Sequence, residues 1–350
     1  MKKIGVAAPS PDWKTRIAAF RGASTARSAW QLHSTAAAVA GLAVLAHFLL
    51  QVHWALTVPV TLGLSGCLVR LFILHHDCGH GSFFRTQRAN DAAGTIIGWF
   101  VLTPYLAWRH QHAIHHATSG DLARRGTGDI WTMTTKEYAN AGFWRRLGYR
   151  LARNPFIMCF GGAVLVFVAL YRIPLSRIWG YKLDARDTAN IILTNIMIAA
   201  IWLGLAWLSL LFLFAVYLPA LMIAAAVGVC LFYVQHQFER AYWQEHNGWT
   251  FEGGAIDGSS YLQLHGILRW MTASIGVHHV HHLAPTIPNY KLAACADAMP
   301  EFGARVTRLT VWTALKTFRL KLYDPDTSRL LTMAEYRRRG AATSSLVAAD

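Results

Sequence analysis

The sequence predicts an all-α integral membrane protein built on two transmembrane helical hairpins. Three observations carry that prediction. The chain has 350 residues, of which 54% are hydrophobic and only 15% charged, against about 25% charged in soluble chains. The missing charge is concentrated, because no Asp, Glu, Lys or Arg occurs from Gln31 to Val69 or from Thr188 to Phe238. Each run is long enough for two helices of about 20 residues across a hydrocarbon layer about 30 Å thick. Third, the basic residues behind the net charge of +15 crowd the segments outside these runs, while the turns near Gln51–His53 and Leu210–Leu213 carry none. That asymmetry is the positive-inside pattern, with both termini and every large loop cytoplasmic.

The elements follow in order. Residues 1–30 form a basic cytosolic arm, with a short interfacial helix expected around Trp13–Phe20. Lys2, Lys3, Lys14 and Arg16 precede an apolar run that continues far past a signal-peptide core, so no secretory leader is read here. The first hairpin spans about 33–52 and 55–75. A weaker apolar stretch, Ala92 to Trp108, is interrupted by Thr103-Pro104, and a basic loop runs from Arg109 to Asn154. A second weak stretch, Pro155 to Tyr171, contains Gly161-Gly162. If it crossed the membrane, the later polar segments would fall on the opposite side, so an interfacial or re-entrant path is expected. The second hairpin covers about 189–209 and 213–235, and residues 31–335 read as one domain followed by a flexible tail at 336–350. The five scattered cysteines suggest no disulfide framework and fit a reducing compartment. The charge distribution suits anionic membrane lipids and acidic soluble partners, and argues against nucleic acid.

Chemistry is concentrated in histidine. Twelve of the 17 histidines fall in four short segments: His75-His76-Asp77-Cys78-Gly79-His80, His110 to His116, His236, and His278 to His282. At 17 in 350, an HxxHH string is expected about 0.04 times in such a chain, and two are present. On a helix, residues three and four apart share a face. That spacing points His76 with His80, His112 with His115 and His116, and His278 with His281 and His282 in common directions. With His236, nine imidazoles can converge, too many for one metal ion. Imidazole suits iron, zinc, copper or nickel. No HExxH string and no bundle-type ExxH pair is present. Neutral imidazoles beside a membrane fit non-haem iron poised for oxygen chemistry, because no side chain alone attacks an unactivated C–H bond.

These residues resemble the membrane fatty acid desaturase family, most nearly the bacterial and cyanobacterial acyl-lipid Delta-12 (omega-6) type. The resemblance rests on HDCGHGSFF at 76–84, TPYLAWRHQHAIHHATSGDLARRGTGDIWT at 103–132, RNPF at 153–156, LFYVQHQFERAYW at 231–243, DGSSY at 257–261 and HHVHHLAPTIPNYKL at 278–292. It implies helices in the membrane beneath a cytosolic helical cap holding two irons. The implied ligands are His76, His80, His112, His115, His116, His236, His278, His281 and His282. Asp77, Arg109, Asp129 and Ser274 are expected around them. The implied reaction uses O2 and two electrons to place a cis double bond in an acyl lipid or acyl thioester, at the cytoplasmic face of a bacterial inner membrane. No haem-domain or dinucleotide motif is present, so the electrons are expected from a separate donor, a ferredoxin. Two departures stand out. Ser274-Ile275-Gly276-Val277 replaces an expected Asn-Ile-Gly-Tyr, and Phe232 stands where distant acyl-CoA desaturases use an asparagine. The alternative is a related di-iron membrane hydroxylase or ketolase. A metal transporter or haem protein would place histidines near the membrane midplane, whereas these clusters sit at helix ends.

Overall fold

The computed structural model describes residues 12–339; residues 1–11 of the expected arm and 340–350 of the expected tail lie outside the described residues. Among the described residues, three helical stretches are long and apolar enough to cross a membrane: Thr25–Val52, Trp54–Gly79 and Ala185–His236. They run past the expected spans because their polar ends continue as helix beyond the uncharged runs. Helix α1 (Trp13–Ala18) buries Ile17 and sets Trp13 edge-on to Phe302 with ring centroids 5.5 Å apart. It therefore packs onto the C-terminal part of the chain, where an interfacial helix was expected.

Helix α2 (Thr25–Val52) starts at Ser24, whose hydroxyl accepts from the Arg27 N–H. Its 28 residues extend about 42 Å, more than the hydrocarbon thickness, so its first turns project and bring Gln31 to Asn289. Only Ser28, Thr35 and Ala46 of this helix are buried, while Trp30, Phe48 and Val52 stay exposed. An apolar solvent is the natural environment for such a surface. A short 3-10 turn, Trp54–Leu56, reverses the chain into α3 (Thr57–Gly79), which packs along α2 and ends in the first histidine segment.

Helices α4 (Gln87–Phe100) and α5 (Tyr105–Thr118) divide the first weak stretch at Pro104. Each has 14 residues, about 21 Å, short of a full crossing. After α6 (Thr135–Asn140) and α7 (Phe143–Ala152), the backbone bends by 83° into Ile157–Arg172. Pro155 cannot continue the preceding hydrogen-bond ladder, and the Asn154 side chain accepts from the N–H groups of Phe156 and Ile157 to start the next helical segment. That segment lies against the later helix α10. There Cys159 and Cys230 form a disulfide pair with Cα atoms 5.9 Å apart, where the scattered cysteines had suggested no disulfide framework. The two are 71 residues apart, a pairing that spacing could not reveal.

Helix α8 (Ser176–Trp179) leads to α9 (Ala185–Phe212) and α10 (Leu218–His236). A straight helix of the 52 residues from Ala185 to His236 would measure about 78 Å. Instead, Asp187 at its start meets His110 on α5 and His236 at its end meets His115 on α5. The path must double back, and the break is Ser209, which is non-helical and whose hydroxyl accepts from the Phe212 N–H.

The remaining helices are α11 (Phe251–Ile256), α12 (Gly266–Met271), α13 (His278–Leu283), α14 (Asn289–Asp297), α15 (Pro300–Gly303) and α16 (Val311–Thr317). Among the described residues, five short strands, which helical reading missed, tie them together. β1 (Met133–Thr134) pairs parallel with β4 (Leu320–Asp324), which pairs antiparallel with β5 (Arg329–Thr332). β2 (Tyr261–Leu262) pairs parallel with β3 (Arg308–Leu309). Contacts continue past the expected tail boundary at 336: Tyr336 packs edge-on to Tyr138 and Arg339 binds Asp324.

Candidate metal centre

Four elements deliver the histidines. The end of α3 supplies His76 and His80, α5 supplies His112, His115 and His116, the end of α10 supplies His236, and α13 supplies His278, His281 and His282. Gly79 is needed here, since a Cβ at that position would stand 2.9 Å from the Trp108 ring, which stacks on His112 with centroids 4.6 Å apart. Gly276 lets the loop before α13 press on the Leu262 carbonyl, and Leu262 N–H in turn donates to Gly276 O at 2.9 Å.

The imidazoles form two groups. Ring nitrogens of His76, His80, His112, His116 and His281 all lie within 4.8 Å of one another, as do those of His115, His236 and His282. His278 lies beside the second group, its Nε2 being 3.0 Å from that of His236. His116 Nε2 stands 3.1 Å from both His112 Nε2 and His281 Nε2, and His236 Nε2 stands 3.3 Å from His115 Nε2. With metal–nitrogen bonds of about 2.0–2.1 Å, nitrogens sharing an ion are separated by about 2.9–3.4 Å. The observed spacings match those of nitrogens that share a metal ion. Hydrogen bonding serves them poorly, because His116 and His236 each turn one nitrogen toward two others and an imidazole nitrogen carries at most one hydrogen. His80 Nε2 and His282 Nε2 are buried without any partner, as ligand atoms facing a cation would be. Burial, and then the neighbouring imidazoles, hold His112, His116, His281 and His282 well below the usual histidine range. They are neutral, which is the form that binds metal.

Surrounding groups fix the rings. Asp129 Oδ1 lies 2.6 Å from His115 Nδ1, so the carboxylate accepts that proton and leaves Nε2 turned into the cluster. The Gly258 carbonyl performs the same service for His236 Nδ1 at 3.1 Å. Asp77 Oδ1 is 3.4 Å from His76 Nδ1, while Oδ2 accepts from the backbone and side-chain N–H groups of Asn289, both at 2.9 Å. Arg109 turns away to Asp91, 3.1 Å distant. The Ser274 hydroxyl takes a bond from Arg269 at 3.3 Å. Neither residue hydrogen-bonds a cluster imidazole among the described residues. His75, His110 and His279 also stay out, bound respectively to the Gly94 carbonyl, to Asp187 and against the Tyr261 ring. Sequence reasoning missed Asn289 and Gly258, which reach the site by chain pairing and carry no chemical signature of their own. Phe232 packs on His115 and His236 at centroid distances of 4.9 and 5.2 Å.

An apolar cavity of about 380 Å³ opens from His76, His112 and His278. One wall is a stripe of α3 (Leu68, Phe72) and another a stripe of α10 (Leu221, Ala224, Gly228, Phe232), each at helical spacing. The bent segment closes a third side with Gly162 and Val166. The polar lining gathers near the cluster, at Gln111, Asp129 and Gln235. The cavity is thus a mostly apolar slot, with the imidazole groups at its polar end.

The amino-acid sequence also matches known proteins. The fatty acid desaturase family model matches residues 52–313. A fatty acid desaturase of Bacillus subtilis (strain 168) is 41% identical over 320 residues, covering 91% of this chain and 89% of that protein. The sn-1 acyl-lipid omega-3 desaturase (ferredoxin) of Nostoc sp. is 25% identical over 238 residues, covering 65% of this chain and 63% of that protein. The acyl-lipid omega-3 desaturase (cytochrome b5) of the Arabidopsis thaliana endoplasmic reticulum is 27% identical over 290 residues, with 78% and 69% covered. Joined to the histidine groups and the apolar slot, these matches establish that the chain belongs to the fatty acid desaturase family.

Proposed function

We propose that this chain introduces a cis double bond into the acyl chain of a membrane lipid, at two iron ions held by nine histidines. The observation that carries this reading is the meeting of two imidazole groups at the head of an apolar slot. His76, His80, His112, His116 and His281 hold one ion, and His115, His236, His278 and His282 hold the other. When bound, the irons supply from O2 and two electrons the oxidising power to remove hydrogens from two adjacent methylenes.

The protein's own residues do the rest. Asp129 keeps the His115 proton on Nδ1, and Asp77 steadies His76 while tying α3 to α14. The slot holds the acyl chain extended past the cluster and excludes water along its length. Its apolar depth suits the methyl end, and its polar mouth near Gln111 suits the head-group end. Residues 31–335 act as one domain, a reading supported by the pairing of β1 with β4. The membrane is crossed by two hairpins, α2–α3 and α9–α10, with the reversal at Ser209 supporting the second. The positive-inside pattern supports a cytoplasmic site in a bacterial inner membrane. The electron donor is a separate acidic protein, a ferredoxin, in keeping with the net charge of +15 and with the name of the Nostoc relative.

The test is the fatty acid profile of a bacterial host expressing the chain with that donor, with double bonds located by mass spectrometry and a His112→Ala control. A new unsaturated acid, absent from the control, is expected, together with two irons per purified chain. A hydroxylated product would overturn desaturation, and a purified chain without iron would overturn the metal assignment.

A further inference from the structure

One cavity-lining glycine leaves room for a side chain. Gly228 of α10 lines the cavity, and a Cβ added there would meet no atom within 4 Å. Gly228 is half-buried and shares the cavity-lining stripe of α10 with Leu221, Ala224 and Phe232, so a side chain there would project from that stripe into open space. Gly228 stands eight residues before His236, about 12 Å down the helix axis from the imidazoles. A side chain at 228 would therefore enter the space of the substrate. Gly204 of α9 offers a contrast: its Cβ would also meet nothing within 4 Å, but it is exposed on the outer surface and lines no cavity.

We infer that Gly228 sets how much acyl chain fits beyond the reacting carbons, and so determines the chain-length preference and double-bond position of the desaturase proposed above. This inference rests on that reading. Gly228 touches no imidazole, so it acts on specificity and leaves the metal groups intact.

The experiment compares wild type with Gly228→Ala, Gly228→Val and Gly228→Leu, and with Gly204→Leu as a control of equal bulk. Each is expressed with its electron donor in a host whose membrane contains a range of saturated acyl lengths. The expected result is a graded fall in the ratio of longest to shorter unsaturated products, reaching about 10–100-fold for Gly228→Leu. Iron content should be unchanged, and Gly204→Leu should match wild type. If Gly228→Leu does not accumulate, the alanine and valine variants carry the same graded expectation. An unaltered product ratio in iron-loaded Gly228 variants, or an equal shift in Gly204→Leu, would overturn the inference. Thermal stabilisation of the purified proteins by saturated acyl lipids of graded length gives a second readout. A shift of preferred length in Gly228→Leu, with no unsaturated product from wild type, would uphold the slot assignment and sink the desaturase reading.

Discussion

Replacing Asp129 with Asn separates the two metal sites. The carboxylate touches one cluster ring, His115, at 2.6 Å, and the side chains of the pair are only 8% and 2% exposed. Its second oxygen accepts from the Gly126 N–H at 3.0 Å. Asparagine has one carbonyl oxygen, so it cannot serve both donors. A hydrogen bond to a buried charged acceptor contributes about 1.5–3 kcal/mol. That range agrees with the 10–100-fold loss of metal affinity, about 1.4–2.7 kcal/mol, that usually follows removal of a ligand's outer partner. Because His115 belongs to the group with His236, His278 and His282, the loss should fall on one ion. In a chelator titration of Asp129→Asn followed by iron analysis, one iron per chain should leave at about 10–100-fold lower chelator concentration. The other should leave as in wild type. Equal weakening of both irons, or an unchanged titration, would refute the division into five and four histidines.

Three other outcomes follow from the same geometry. Asp77→Ala strands two buried donors of Asn289 and should cost about 2–4 kcal/mol of stability; an unchanged unfolding temperature would contradict the tie between α3 and α14. Burial keeps His112, His116, His278, His281 and His282 neutral in the folded chain, whereas unfolded histidine titrates near 6.5. Unfolded chains therefore bind protons first on acidification. This contribution to the stability of chelator-stripped protein should be complete above about pH 6.5 and fall below it, by up to about 1.4 kcal/mol per pH unit for each ring. Denaturation across that range checks the sign, and greater stability in acid would contradict it. Burial also pushes the Cys295 thiol up to about 11, so at pH 8 only about one molecule in a thousand is thiolate. Iodoacetamide should leave Cys295 unmodified until the protein is unfolded, as peptide mass spectrometry would reveal.

Much of the histidine clustering was legible because its information is local. His112, His115 and His116 share a helix face by spacing alone, and so do His278, His281 and His282. The uncharged runs announced the long apolar helices for the same reason, since bilayer thickness acts on consecutive residues. What escaped the sequence depends on pairing across distance. Asn289 reaches Asp77 over 212 positions, Cys159 finds Cys230, and β1 waits for β4. Arg109 shows the converse. Its place three residues before His112 suggested a role at the cluster, but on the helix it faces Asp91 of α4.

The slot marks the boundary most sharply. To a composition reading, the run Leu218 to Cys230 is a generic apolar span, and Gly204 and Gly228 are equivalent small residues within such spans. Their difference arises only when α3 and the bent segment close against α10. Gly204 is then left facing outward and Gly228 facing a cavity that leads to the imidazoles. A metal centre can be specified by residue type, because only a few side chains bind a cation. A passage for an acyl chain is specified by the absence of side chains, and an absence gains meaning only from the walls around it. For this reason, bulk added at Gly228 should shift the product, whereas bulk added at Gly204, alike in the sequence, should leave it unchanged.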